Sequence, residues 1–429
     1  MQYLIVYAAI FVALWVLYLR RHARIERGHA AQLSASIEAG LQEPPSLHPK
    51  IDSLRCIGSG SCVKVCPEEA LGIVKGKAML VNASACIGHG ACLKACPVDA
   101  IQLVFGTEKR GIDIPSVTPQ FESNVPGLFI AGELGGMGLI RKAAEQGRQA
   151  IEEIRKRKRG EHEYDVLIVG GGPAGLSAGL SAIEHKLHYK LIEQEASLGG
   201  AVFHYPRNKI AMTAPVKLAL VGSMKFSEVQ KEKLLEFWTG VVQRTGLKIT
   251  FRECMEGIDQ AGDGFIVRTA GQRYSARSVL LALGRQGTPR KLEVPGEEMP
   301  KVVYRLVDPA QYAGQKVLVV GGGDSALEAA IALADQHATE VTLSYRSEAF
   351  SRVKQKNRLA LEQAQRDARL RVELASTVLA IQADAVVLKT AAGPLNLRND
   401  AVIVCAGGLL PTPLLKAAGI QFATKHGTA

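Results

Sequence analysis

The first nineteen residues, 1–19 (MQYLIVYAAIFVALWVLYL), hold one clearly polar side chain, Gln2. As a helix that run rises about 28 Å, close to the hydrocarbon thickness of a bilayer. Arg20, Arg21, Arg24 and Arg27 follow at once, and Tyr3, Tyr7, Trp15 and Tyr18 lie towards the two ends, where interfacial aromatics sit. A cleaved signal peptide carries its charge before the apolar run and small residues at a cleavage site. Here the charge comes after the run, so the pattern predicts an uncleaved transmembrane helix with everything beyond Arg20 in the cytoplasm. Residues 30–49 turn polar, carry Pro44, Pro45 and Pro49, and read as a tether.

Further on, short apolar runs end in glycine. Residues 164–176 read YDVLIVGGGPAGL: a strand, a turn through Gly170, Gly172 and Gly175, then an alanine-rich helix. A second strand, 189–194 (YKLIEQ), ends in Glu193, eighteen residues past Gly175. Strand, G-x-G-x-x-G turn, helix and downstream acid together make a dinucleotide site. The glycines permit the turn, the pyrophosphate lies at the helix N-terminus, and the carboxylate holds ribose hydroxyls. Residues 316–328 (KVLVVGGGDSALE) repeat the arrangement with Gly321, Gly323 and Ala326. The strand that follows, EVTLS, ends without an acid, and Tyr345, Arg346, Arg352 and Lys354 come next. A missing acid beside arginine favours the 2′-phosphate of NADPH over NADH, with Arg346 as its partner. The bland alternative is a set of surface cations.

Composition narrows the picture. At 429 residues the chain holds roughly three domains. A hydrophobic fraction of 47% with 22% charged excludes a disordered chain. The formal charge of +11 lacks any aromatic-interleaved basic motif, which argues against nucleic acid as a partner. Six of the eight cysteines lie between Cys56 and Cys96, a metal-site distribution rather than a disulfide scaffold.

Those six form an internal repeat. Residues 56–67 read CIGSGSCVKVCP and 86–97 read CIGHGACLKACP, identical at eight of twelve positions. Each block resembles the C-x2-C-x2-C-x3-C-P run of bacterial two-cluster ferredoxins, in which the cysteine before proline reaches the other cluster. The resemblance implies one site of Cys56, Cys62 and Cys96 and another of Cys86, Cys92 and Cys66. The family's second cysteine is replaced by Ser59 in the first block and His89 in the second. Three outcomes are open: Ser59 and His89 ligate iron in 4Fe–4S clusters, that corner is vacant in 3Fe–4S clusters, or a site is empty. Imidazole in place of thiolate removes a negative charge and raises the potential of the His89 site. Zinc is a weaker reading, since C-x5-C-x3-C is not zinc-knuckle spacing.

Residues 107–429 resemble the thioredoxin-reductase-like flavoproteins, an FAD domain interrupted by a smaller NAD(P)H domain. SVLLALGRQGTPR around Gly284, VPG at 294–296 and NDAVIVCAGGLLPT around Gly407 carry the resemblance. The stretch from Val302 to Ala330 looks most like the ferredoxin–NADP reductases of that group. The C-x-x-C of thioredoxin reductases has no counterpart at 304–312, and Cys254 and Cys405 read as inert core residues. Dithiol chemistry is therefore not expected. In that family the chain closes with T-x-V-P-G-L-F-x-A-G-D, whose acid binds the FAD ribityl chain. Here the element stands ahead of the first glycine turn, as NVPGLFIAGELGGMGLIRKAAEQGRQA (124–150), with Glu133 in the aspartate's place. The resemblance thus implies a circular permutation. The helix 139–154 runs into a basic stretch, RKRKRGEHEY, read first as a solvated helix cap and second as a lipid-facing patch.

The expected fold class is α/β: two Rossmann-like domains, for FAD and NAD(P)H, a small α+β ferredoxin domain and one N-terminal transmembrane helix. The expected boundaries are transmembrane anchor 1–19, linker 20–47, ferredoxin-like domain 48–106 and permuted FAD segment with linker 107–160. The FAD domain follows at 161–290, the NAD(P)H domain at 291–410 and a return to the FAD domain at 411–429. The expected activity is NAD(P)H oxidation through FAD and two iron–sulfur clusters, to or from a protein or quinone carrier, with a homodimer left open. Two rivals are a flavoprotein that reduces a quinone or small disulfide directly, and a non-catalytic membrane redox sensor.

Overall fold

The computed structural model describes residues 2–38, 41–44, 47–108, 111–135, 138–158, 160–284, 287–350 and 353–427. The chain divides into two units, one built mainly from Met1–Ile112 and the other from Asp113–Phe350 with Lys356–Thr424.

In the first unit a single helix, Gln2–Glu38, covers the apolar run and continues beyond it. This corrects the expected linker, which is helical as far as Glu38. The cause is tertiary. His29 Nδ1 accepts the Ile73 N–H (3.0 Å) and Glu26 Oε1 accepts the Gly76 N–H (2.9 Å), so the helix is held along the hairpin Leu71–Val74/Lys77–Leu80. The apolar part of the helix is long enough to cross a membrane, and none of its most apolar window is buried in protein. The strands His48–Ile51 and Ile101–Val104 pair antiparallel. Two short helices, Ser61–Lys64 and Ala91–Ala95, each start at a left-handed glycine, Gly60 (φ 72°) and Gly90 (φ 73°), so the sequence repeat is also a backbone repeat.

The second unit contains two five-stranded parallel sheets. The first has the order Thr250–Phe251, Tyr189–Glu193, Val166–Val169, Val279–Leu281, Leu128–Ile130. Strands such as Val166–Val169 are apolar and buried at every position, as a parallel sheet covered on both faces requires. The second has the order Val302–Val303, Ala401–Val404, Lys316–Val320, Glu340–Ser344, Leu370–Glu373. Each is accompanied by a three-stranded antiparallel sheet. Two Rossmann-like domains, a ferredoxin-type region and an apolar N-terminal helix make up the fold.

The strand Leu128–Ile130 and the helix Ile140–Ile154 come before the first glycine turn in sequence yet complete its domain. The strand forms the edge beside Val279–Leu281. The helix crosses Pro173–Glu184 so closely that a Cβ on Gly147 would lie 2.0 Å from the Ala174 carbonyl oxygen. At the other end, Ser116 N–H donates to Gln421 O (2.9 Å), Gln421 N–H to Asn124 Oδ1 (2.8 Å) and Asn124 Nδ2 to Gly419 O (2.9 Å). The strand Phe422–Lys425 therefore runs beside the residues from which the displaced segment starts.

The basic stretch after the helix is engaged within this unit. Arg155 pairs with Glu152 (2.7 Å), Lys156 with Glu153 (2.6 Å) and Arg157 with Glu122 (3.2 Å). The buried Arg277 guanidinium donates to the Arg157 and Lys158 carbonyls, closing the C-terminal end of the helix.

Candidate functional site

The first glycine turn leaves the strand Val166–Val169 at Gly170, whose φ of +111° only glycine adopts without strain. Gly172 caps the helix Pro173–Glu184, and Pro173 occupies its first turn, where no N–H is needed. A Cβ on Gly175 would lie 1.8 Å from Gly170 O, so helix and turn touch backbone to backbone. Glu193 ends the neighbouring strand at 5% exposure. Its Oε2 accepts the Gly171 N–H (2.5 Å) and its Oε1 the Glu195 N–H (2.9 Å). Burial pushes this carboxyl above the usual range, and the two N–H donors pull against it. A carboxylate has about four acceptor positions, which leaves lone pairs for ribose hydroxyls. Glu133 lies in the short turn Glu133–Gly135 after the strand Leu128–Ile130. The preceding Gly132 donates to Gln146 Oε1 (2.8 Å), and its Cβ position is 3.3 Å from the Ala174 methyl. Displaced segment and glycine turn thus meet at one helix N-terminus. This backbone cradle fits a pyrophosphate.

The second turn repeats the geometry. Gly321 has φ +150°, and a Cβ there would be 2.4 Å from Cys405 O. Gly323 caps the helix Asp324–Ala334 with open space around it, and Ala326 is fully buried beneath. Where an acid would end the next strand stands Ser344, buried with its hydroxyl 2.7 Å from that of Ser376. Arg346 is exposed just beyond. Lys354 is half-buried, and Arg352 lies outside the described residues. Sequence reasoning missed what surrounds this turn. The Tyr345 ring lies against Gly322, 2.0 Å from a Cβ position there, and stacks on Phe350. Asn357 Nδ2 donates to Asp324 (2.7 Å) and to Glu328 (3.2 Å), and Glu328 pairs with Lys209 of the first Rossmann-like domain (2.8 Å). The acids of DSALE were visible; their partners, far away in sequence, were not.

In the first unit the cysteines surround two cavities. Cys56, Ser59, Cys62 and Cys96 wall one, of about 20 Å³. Cys66, Cys86, His89 and Cys92 wall the other, also of about 20 Å³. Each cavity takes its last cysteine from the opposite repeat. Backbone N–H groups point at the sulfurs, Ala78 at Cys56 Sγ (3.4 Å) and Ala100 at Cys96 Sγ (3.2 Å). Gly58 and Gly88 have positive φ, and Cβ atoms there would strike Gly76 O (2.1 Å) and Leu47 O (2.8 Å). Burial pushes the Cys86 thiol up to about 11. Cys62 and Cys92 are raised too, first by burial and then by the charge of neighbouring thiolates. Such a set ionises readily only around compensating positive charge. Among the described residues no three ligand groups converge on a single ion-sized point. Three thiols facing each cavity, one of them from the opposite repeat, fit an iron–sulfur cage. All eight cysteines are free thiols. Cys405 is half-buried, but Cys254 is exposed, which corrects its expected place in the core. It falls in the loop ahead of the strand Met255–Ala261, its Sγ 3.8 Å from Gln194 Oε1.

Comparison with known proteins agrees with this geometry. A model described as 4Fe-4S dicluster domain matches residues 48–97. A ferredoxin–NADP reductase of Ignicoccus hospitalis is 33% identical over 189 residues, 43% of this chain and 57% of that protein. One of Pediococcus pentosaceus is 34% identical over 192 residues, 44% and 55% respectively. The match therefore spans little more than half the length of these relatives. Among solved structures, a bacillithiol disulfide reductase of Staphylococcus aureus superposes with a TM-score of 0.53 at 25% identity, covering 60% of this chain and 83% of that one. The model described as pyridine nucleotide-disulphide oxidoreductase matches residues 167–428, and this chain belongs to that family.

Proposed function

We propose that the chain is a membrane-anchored, FAD-dependent NAD(P)H oxidoreductase that exchanges electrons with a further carrier through two iron–sulfur clusters. The observation that carries it is the cross-contribution of cysteines to two cavities on the same polypeptide as two dinucleotide turns. When bound, the flavin exchanges a hydride with the nicotinamide and single electrons with the clusters.

The chain's own residues bind and orient. Gly170, Gly172, Gly175 and Glu193 hold the FAD pyrophosphate and ribose, and Glu133 faces its ribityl chain. Gly321, Gly323 and Ala326 receive the nicotinamide dinucleotide, and Arg346 its 2′-phosphate. Cys56, Cys62 and Cys96 hold one cluster, with Ser59 at the fourth corner. Cys86, Cys92 and Cys66 hold the other, with His89 there. His89 in place of a thiolate raises the potential of its site, whereas Glu68, lining the same cavity, lowers it. The adjacency of residues 113–124 to 419–424 supports circular permutation of the FAD domain. The apolar helix and its trailing arginines support a single span with both units in the cytoplasm.

The test is NADPH oxidation with ferricyanide as acceptor. Wild-type protein turns over, and Arg346→Ala raises KM for NADPH about tenfold or more while leaving NADH unchanged, the loss of a charge-assisted contact of ~1.5–3 kcal/mol. Equal effects on both nucleotides remove Arg346 from the phosphate site. No turnover with any acceptor favours the redox-sensor reading.

A further inference from the structure

The two halves of the ferredoxin-type unit are related by a thirty-residue repeat, yet their rims differ. Beside the Cys86 site the chain covers itself: Leu47 is buried against Gly88, Ser84 is 2% exposed and Ile87 is half-buried. At the matching positions beside the Cys56 site, Leu54 is 93% exposed and Ile57 66%. Asp52 Oδ1 accepts the Leu54 N–H (2.9 Å) and the Arg55 N–H (3.3 Å), and Cys56 N–H donates to Asp52 O (2.9 Å). A tight turn thus holds the bare leucine outward.

The same rim is tied to the N-terminal helix. Gly58 abuts Gly76 at the hairpin tip, and Gly76 donates to Glu26. Ile73, nearer the hairpin base, donates to His29 instead. The tip therefore points back towards the apolar end of the helix. Glu26 is seven residues past Leu19, so the tip lies about 10 Å beyond the apolar run. The headgroup layer on each side of the hydrocarbon is roughly 5–8 Å thick, and a leucine side chain closes the difference. Arg55 and the tip residue Lys75 are exposed beside the patch, and cations there suit anionic headgroups.

We propose that Leu54 and Ile57 insert into the headgroup layer of the membrane that holds the helix, so that the Cys56 site opens towards lipid and the Cys86 site faces away. The occupant of this apolar rim is the bilayer surface, continuous with the span of the same chain. The proposal rests on the membrane-anchor reading above.

The test uses full-length protein in vesicles of equal parts phosphatidylcholine and phosphatidylglycerol, with doxyl quenchers near the headgroups. Trp238 is fully buried, so in wild-type protein Trp15 reports the anchor. In a Trp15→Phe background, Leu54→Trp is compared with Leu93→Trp, whose site is on the opposite repeat. The expected result is clear quenching of Leu54→Trp by the headgroup-level quenchers, with Leu93→Trp untouched. If Trp15 is quenched while Leu54→Trp is not, or both new tryptophans are quenched alike, the docking proposal fails and the anchor stands. If the wild-type protein neither floats with the vesicles nor shows quenching, both fail. Ile57→Asp with Leu54→Asp provides a second check: it is expected to weaken quenching of a tryptophan at Lys75 without changing that of Trp15. An unchanged Lys75→Trp signal in that variant overturns the proposal.

Discussion

Replacing Gly147 by valine yields protein that purifies with little bound flavin and melts roughly 6–12 °C lower, as ~3 kcal/mol does in a domain of this size. A Cβ at Gly147 has no room. It would lie 2.0 Å from Ala174 O and 2.9 Å from its carbonyl carbon, and these backbone atoms cannot rotate aside. Overpacking of this kind costs about 1–3 kcal/mol or more. Here it also forces apart the helices Ile140–Ile154 and Pro173–Glu184, and the second of these presents the pyrophosphate cradle. Gly240→Ala is the control. It sits in the helix Lys231–Thr245 with nothing within 4 Å, so a methyl there is neutral or stabilising by about 0.5–1 kcal/mol. If Gly147→Val retains full flavin and an unchanged Tm, the displaced segment is not part of the flavin domain.

Loss of either crossing cysteine removes about half of the iron and sulfide, and the half that is lost belongs to the other repeat. Cys96 lines the cavity with Cys56 and Cys62, and Cys66 the cavity with Cys86 and Cys92. Double variants separate this wiring from two self-contained sites. Cys56→Ala with Cys96→Ala strikes one cavity twice and costs no more iron than either alone. Cys56→Ala with Cys66→Ala strikes both cavities and removes nearly all of it. Such non-additivity within a site and additivity between sites is the signature of shared ligation. The reverse pattern assigns each cluster to its own repeat.

Local pattern carried much of this. Both glycine turns are written in adjacent residues, because strand, turn and helix are contiguous and the chemistry demands small residues at fixed spacing. The cysteine repeat is equally local, and its cross-wired cavities follow the spacing the ferredoxin resemblance implied. What the sequence concealed depends on contacts between distant residues. The helix runs through Gly28 and past Ser34 and Ser36 to Glu38, and the hairpin beyond residue 70 offers N–H groups to Glu26 and His29 along it. Cys254 is a lone cysteine flanked by Arg252, Glu253 and Glu256; it falls in a loop between strands and stays exposed. The chain linking Lys209, Glu328, Asn357 and Asp324 joins three separate segments, none of which signals the others.

Electron paramagnetic resonance of anaerobically purified protein, before and after NADPH, tests most directly whether one polypeptide joins nicotinamide oxidation to iron–sulfur chemistry. The expected result is iron and sulfide in amounts matching two clusters per flavin, with a cluster signal that changes when NADPH is added. Oxygen-free protein that carries flavin and oxidises NADPH, but holds no iron or sulfide, contradicts it.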